Sequence, residues 1–295
     1  LFVLIYYANL SLNPTICNKN ETIRSFEKIH NNKNTIMCYN YNISNLKNKN
    51  LIKHKNNYLI GNKKYLWITL TKFYGSKIAQ TITPMTYIIP NDYNKYVKEC
   101  SNKKMIFKEN VHQQQGLFIT KRIQNLSFLT KQKFIVGQEF IEDTLKYNGY
   151  KLSFRLYLII KCVNGKLQYY IYKDGLVYYG LGDIATFYNS TNTNQIYKNN
   201  PILISDLEKE INLDIRKLMV NKIDLLIPTL KLNFCSKDTN NKFFEIYGID
   251  FHITNKLDAY ILEVNSGPGM EPNNIKDNKL RIDLMKFYSS IINSS

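Results

Sequence analysis

Two carboxylates and a carboxamide late in the chain have the spacing of a cation site. The runs "FFEIYGIDF" (Phe243–Phe251) and "AYILEVN" (Ala259–Asn265) both read as strands, joined through "HITNKLD". A turn centred on Asn255-Lys256 sets Asp250 opposite Ile261 and Gly248 opposite Glu263. Asp250 and Glu263 are then diagonal neighbours on one strand face, about 7–8 Å apart at Cα, with Asn265 next along it. Like charges this close repel unless a cation or protons neutralise them. A few hard oxygen donors on rigid strands suit Mg²⁺ shared with substrate phosphates better than a full Ca²⁺ cage. The competing interpretation is an ordinary solvated strand face. Two features favour the metal: Gly248 opposite Glu263 leaves backbone room, and "NSGPG" (Asn265–Gly269) stops the strand and exposes its end.

Fixed cations complete an anion-binding set. In "YKLSFRLYLII" (Tyr150–Ile160), Lys151 and Arg155 share a face, one a point charge and the other a planar fork for phosphate oxygens. Lys108 ends "MIFK" just before a loop carrying "HQQQG" (His112–Gly116). That loop has no G-x-x-x-x-G-K-[ST], and the chain has no G-x-G-x-x-G, so neither Gly-rich phosphate cradle is present. No nucleophile elbow or Cys/His pair occurs, and His30, His54, His112 and His252 lack metal or triad spacing.

Strands must carry most of these groups. From Tyr150 the polar residues Lys151, Ser153, Arg155 and Tyr157 alternate with Leu152, Phe154, Leu156 and Leu158, which predicts a half-buried strand with a charged face. Asn164-Gly165 and Asp174-Gly175 predict two tight turns and a meander over about Lys151 to Tyr179. Further strands are expected at Tyr65–Leu70, Thr86–Pro90, Met105–Lys108 and Lys133–Ile141. Ser205-Asp206-Leu207-Glu208 reads as a capping box opening one amphipathic helix that ends near Pro228, and a last helix runs from about Ile275 to Ile291. Strands, a helix, a hairpin and a helix predict an α+β fold.

The chain has 295 residues with 40 Lys+Arg against 23 Asp+Glu, a formal charge of +17. At 44% hydrophobic residues it can bury a core, which excludes wholesale disorder. The charge admits nucleic acid, an anionic membrane or an acidic protein as partner, although Lys- and Asn-rich composition alone could supply much of it. No helix-turn-helix, zinc-finger or RNP-type motif supports nucleic acid. Five widely spaced cysteines without C-x-x-C predict neither a disulfide framework nor a zinc ribbon and fit a reducing compartment. The apolar run Leu1–Tyr7 falls short of a membrane span and reads as a buried strand, with a truncated anchor as the alternative. No later segment is expected to span a membrane.

The ordered series "VGQEFIEDTLKYNGYKLSFRLYLII", "LQYYIYKDGLVYY" and "FEIYGIDFHITNKLDAYILEVNSGPG" resembles the tubulin–tyrosine ligase-like family of ATP-grasp ligases. The match covers about half the chain, from Thr86 in "PMTYIIP" through Asn265. It implies an ATP-grasp fold of antiparallel sheets with flanking helices, divided as a small α/β substrate-side lobe over 1–85, a central subdomain over 86–145 and a C-terminal subdomain over 146–295. It also implies ATP and Mg²⁺ as cofactors. Lys108 and Lys151 would touch the phosphates, as would the loop at Gln115 and Gly116. Gln138, Glu139, Phe140 and Ile141 would form the adenine hinge, and Arg155 would hold the γ-phosphate. Asp250, Glu263 and Asn265 would bind Mg²⁺, the trio that strand pairing selects without the family.

The implied reaction phosphorylates a substrate carboxylate, and an amino-acid amine then displaces phosphate. The expected enzyme is a carboxylate–amine ligase with Lys151 and Arg155 in catalytic roles, adding glutamate to the acidic tail of tubulin or a similar protein. A cytoplasmic, cytoskeleton-associated location follows. The chain departs from the family pattern at Ser153, where the family has Asp, and at Tyr178, where it has Arg. The loop at Gln115-Gly116 lacks its second glycine, and "H-L-T-N" is reduced to "NSTN", with Thr191 and Asn192 as survivors. These departures support an alternative: a catalytically impaired ATP-grasp fold that binds nucleotide or acidic tails without ligating them.

Overall fold

Strand-forming runs from both ends of the chain pair into one large sheet. A computed structural model describes residues 35–36, 50–52, 58–110, 116–180, 200–230, 234–235 and 242–294. Leu1–Tyr7, Gln115, Thr191 and Asn192 lie outside these residues. In chain order the elements are strands β1 (Thr35–Ile36) and β2 (Asn50–Ile52), then helices α1 (Tyr58–Gly61), α2 (Lys63–Tyr74) and α3 (Ser76–Ile82). Next come β3 (Thr86–Ile88), α4 (Tyr93–Glu99), β4 (Met105–Glu109), β5 (Leu117–Thr120), α5 (Leu126–Lys131) and β6 (Phe134–Glu139). Strands β7 (Lys146–Tyr147), β8 (Tyr150–Val163), β9 (Lys166–Gly180) and β10 (Ile202–Leu203) follow, with α6 (Ile204–Ile211), α7 (Ile215–Leu226) and a 3₁₀ turn at Ile227–Leu230. The last elements are β11 (Lys242–Ile253), β12 (Ala259–Ser266) and α8 (Ile275–Asn293).

The large sheet runs β1-β2-β11-β8-β9-β10, with β12 on β11 and β7 on β8; the smaller runs β3-β6-β4-β5. Antiparallel sheets with flanking helices make this the expected α+β architecture. Pairings β1–β2 and β2–β11 are parallel, so residues 35–36 and 50–52 edge the same sheet that carries Asp250.

Central strand β8 is covered on both faces, so its polar alternation gives way to continuous burial from Leu156 to Cys162. Leu152, Phe154, Leu156 and Leu158 pack with Leu66, Trp67 and Leu70 of α2 and Met219 and Ile223 of α7. Tyr157 and Ile159 point the other way, against Leu280, Leu284 and Tyr288 of α8. Period 2 thus survives, while the second face turns apolar where a helix covers it.

Three expectations need correction. Tyr65–Leu70 is helix, part of α2: Asn62 caps it by accepting from Lys64 N–H at 2.9 Å, and Leu66, Trp67 and Leu70 bury one helical face. The cap and that one-sided burial override the β-rich composition. The helix expected from Ser205 to Pro228 is two, broken at Asn212 with φ +52°. Ser205 is not its N-cap, because its hydroxyl donates to Asp174 at 2.6 Å. Asn164-Gly165 does make the β8–β9 turn, with φ of +51° and +72°. Asp174-Gly175 makes none: Leu158 faces Ile171 and Leu156 faces Gly175, so Tyr172 to Asp174 bulge opposite Tyr157.

A Cβ on Gly175 would collide with the Arg155 carbonyl oxygen, which makes close strand approach the reason for this glycine. Gly175→Ala should cost about 1–3 kcal/mol, read as a lower urea midpoint at unchanged slope.

The cysteine expectation also fails. Cys162 and Cys235 form a disulfide with Cα atoms 5.5 Å apart and a sequence separation of 73. Wide spacing hid the pair because the sheet, not the chain, brings them together. No helix among the described residues is long and apolar enough to cross a membrane.

Candidate functional site

The β11–β12 hairpin places its polar residues by a register that the turn does not set. Near the tip, Phe251 faces Ile261 and Ile253 faces Ala259; beyond it, Asp250 faces Glu263 and Gly248 faces Asn265. Leu262 is therefore an extra residue, a bulge that shifts the pairing by one. In an unbroken ladder Leu262 would face Asp250, and Glu263 would face Ile249 and point into the core. The expected convergence of Asp250, Glu263 and Asn265 stands, but Asp250 and Glu263 are directly opposed rather than diagonal. Gly248 does not face Glu263. The space above it belongs to Pro268 and the Arg155 stem, 2.9 Å and 3.5 Å from where a Cβ would sit.

The repulsion expected of the carboxylates is met by side-chain cations. Arg155, paired with Asp250 across β8–β11, donates from Nε to Asp250 Oδ1 at 2.7 Å and from Nη2 to Oδ2 at 2.8 Å. The carboxylate holds the guanidinium pKa above its ordinary value against the opposing effect of burial. Asn265 Nδ2 donates to Asp250 Oδ2 at 3.0 Å. Glu263 pairs with Lys63 at 3.1 Å, at the head of α2. Lys63 was not a sequence candidate. Its only signal was the cap at Asn62, and the strand expected there hid it.

Among the described residues no three His, Cys, Asp or Glu side chains form a metal cage by themselves. Two carboxylates and one amide fit a hard cation that keeps phosphate or water ligands, as Mg²⁺ does. Such a cation would need Arg155 to release Asp250, whose two oxygens it now occupies.

Beside the trio a cleft opens between the two sheets, lined by Ile106, Lys108, Gln138 to Ile141, Lys151, His252 and Leu262. Lys108 is buried and donates to Gln138 Oε1 at 2.7 Å, while Gln138 Nε2 donates to Thr86 at 2.9 Å. Burial lowers the Lys108 pKa to about 8, with Glu263 pulling it up and Lys63 pushing it down. Those couplings tie the cleft to the carboxylates. The Glu139 carboxylate is engaged by Lys103 at 2.8 Å, and Lys104 lies 5.0 Å from the Phe140 ring centre. The N–H groups of Glu139 and Phe140 donate to the Met85 and Lys104 carbonyls, so a base in this cleft would use other hinge groups.

Gly116, at φ +65°, accepts from Glu109 N–H at the mouth of the β4–β5 connection. His252, which lacks metal or triad spacing in the sequence, lines the cleft; its Nε2 donates to the Asp143 carbonyl at 2.6 Å, and burial lowers its pKa. Ile106 and Leu262 escaped notice because apolar residues in strands carry no chemical signal. Tyr178, paired with Ser153 across β8–β9, sets its ring 6.0 Å from the Arg155 guanidinium.

A sequence model described as "Tubulin-tyrosine ligase family" matches residues 41–181 and 186–288. A Tetrahymena thermophila protein named "Probable beta-tubulin polyglutamylase" is 23% identical over 254 residues, 71% of this chain and 21% of that protein. Mouse "Tubulin polyglutamylase TTLL7" is 23% identical over 70% of this chain and 27% of its own length. Mouse "Probable tubulin polyglutamylase TTLL2" is 26% identical over 67% and 42%. The chain thus spans between a fifth and about two-fifths of these relatives.

Proposed function

We propose that this chain, which belongs to the tubulin-tyrosine ligase family, is an ATP-dependent ligase joining an amino acid to a carboxylate of an acidic protein tail. Glutamate and tubulin are the favoured pair, since the relatives above are named tubulin polyglutamylases. One observation carries the reading: a cleft lined by the buried Lys108 and half-buried Lys151 adjoins, through Leu262 and the charge of Glu263 on Lys108, the sheet face that holds Asp250, Glu263, Asn265 and Arg155.

In this reading Lys108 and Lys151 hold nucleotide phosphates, and the hinge at Gln138–Ile141 takes the base between Ile106 and Leu262. Asp250, Glu263 and Asn265 would hold Mg²⁺, which would neutralise charge on the phosphates. Arg155, drawn from Asp250, then faces the transferred phosphoryl group. The acceptor carboxylate takes the γ-phosphoryl group from ATP, breaking its bond to the β–γ bridging oxygen and releasing ADP, and the amino-acid amine, losing a proton, attacks the resulting acyl carbon. An amide bond forms and phosphate leaves. Residues 86–145 carry the smaller sheet and 146–295 the trio, with 1–85 proposed as the acceptor side. The net charge of +17 would steer an anionic tail, and cytoskeletal association would follow from the substrate.

A binding-only module is the second reading, favoured by the Tyr178 ring beside an Arg155 already neutralised by Asp250. Labelled glutamate, tyrosine and glycine should be offered with ATP, Mg²⁺ and tubulin. Glutamate label on tubulin is the expected result; ATP binding with no transfer of any amino acid would select the second reading, and no ATP binding would end both.

Lys108 adds a pH dependence. Its folded pKa of about 8 lies below the ordinary 10.5, so the folded chain gains stability as pH rises through that window, where the unfolded chain holds the extra proton. Nucleotide binding should run the other way, because phosphate prefers the charged amine. ATP affinity measured from pH 7 to 9.5 should fall in wild type and fall less in Lys108→Met.

A further inference from the structure

Buried charges behind the site, in the first turns of α8, have no place in the reaction above. Asp277 is fully buried and Arg281 nearly so. Arg281 Nε donates to Asp277 Oδ1 at 2.6 Å and Nη2 to Oδ2 at 3.2 Å. Oδ2 also accepts the Asn273 N–H at 2.9 Å. The remaining arm, Nη1, donates to the Gly269 carbonyl.

Gly269 belongs to the segment that leaves β12 directly after Asn265 and Ser266. Pro268, one residue earlier, seats over Gly248, where the Arg155 stem also approaches. A continuous path therefore runs from α8 through Gly269 and Pro268 to the positions that hold Asp250, Asn265 and Arg155. A buried ion pair is poor evidence for stability, since an apolar pair of equal volume often serves as well. What an apolar pair could not supply is a directed donor to one loop carbonyl. Arg281 is also close enough for its charge to act on Tyr178 and Tyr157.

We propose that Arg281, oriented by Asp277, is a positioning residue that fixes the end of β12 and thereby the geometry of Glu263 and Asn265. Its consequence for cation binding rests on the ligand reading given above; its hold on the strand end does not. The test compares wild type, Arg281→Met, Arg281→Lys and the apolar replacement Arg281→Met/Asp277→Leu as full chains. Hydrogen exchange is followed without ligand, and a fluorescent ATP analogue is titrated with and without Mg²⁺.

In both Met variants, amide protection over residues 265–270 should fall about tenfold, the loss of one hydrogen bond, while β8 keeps its protection. The Mg²⁺ needed for half-maximal binding should rise by a similar factor, Mg²⁺-free binding should change less than twofold, and Arg281→Lys should recover part of both effects. Protection unchanged at 265–270, or lost equally in β8, overturns the proposal, as does local loss with an unaltered Mg²⁺ requirement. Local loss in a protein whose wild type binds no nucleotide leaves the strand-end role standing and removes the ligase reading. The double variant keeps the test decisive if Arg281→Met alone fails to fold with Asp277 orphaned.

Discussion

Glu263→Gln should lower amino-acid transfer to tubulin on the order of 10²–10³-fold while leaving the melting temperature near that of wild type. Glutamine keeps the shape of the side chain and still offers Lys63 an oxygen, so the 3.1 Å contact loses charge but not its acceptor. Partly exposed pairs of this kind contribute little to stability. Asp250→Asn is a less clean probe. It removes one acceptor from the Arg155 fork and leaves a half-buried guanidinium short of a partner, so stability should fall by about 1–3 kcal/mol together with activity. Transfer by Glu263→Gln at the wild-type rate would remove Glu263 from the chemistry.

Breaking the Cys162–Cys235 bond should produce the largest change in stability. A link between residues 73 apart in sequence restricts the unfolded chain, and such bonds typically contribute about 2–4 kcal/mol. Urea unfolding of Cys162→Ser, or of wild type in dithiothreitol, should show that loss relative to oxidised wild type. Cys162 is buried in the same core as Leu158, Ile160 and the α7 residues Met219 and Ile223, so serine would also place a hydroxyl among apolar neighbours. Cys162→Ala separates the two effects and should lose less. If both thiols of the folded, unreduced protein take up iodoacetamide, the bond is absent and the expectation fails.

Alternation along Tyr150–Ile160 exposed β8 and the shared face of Lys151 and Arg155, because strand period is a property of local sequence. The α+β class and the face shared by Asp250 and Glu263 were legible for the same reason. The register was not: the tip pairing and the pairing at Asp250 differ by one residue, and nothing in "AYILEVN" marks Leu262 as the extra one. The carboxylates' counter-ions were half legible. Arg155 was singled out, but for phosphate rather than Asp250, and Lys63 comes from a segment whose aromatic and β-branched residues imitate a strand until the Asn62 cap and the buried face of α2 are seen. Gly175 looked like a turn because a glycine that admits a neighbouring carbonyl leaves the same trace as one that reverses the chain. The disulfide is a product of tertiary contact; Asp277 and Arg281 have the i,i+4 spacing of a helix pair, and only their burial and the Arg281 hold on Gly269 come from tertiary contact.

The extra residue at Leu262 gives the hairpin one residue of slack between its tip and its cation face. Scanning position 262 by substitution would report only a partly buried apolar wall, tolerant of isoleucine or methionine. Deleting it would set Glu263 directly after Ile261, still opposite Asp250 while Ile261 stays opposite Phe251, so the trio would keep its face and the hairpin would lose only its bulge. In a lineage of such chains, a one-codon gap between Ala259 and Glu263 would therefore leave the cation face intact, whereas a second gap would have to be absorbed at the tip, without a single change to Asp250, Glu263 or Asn265.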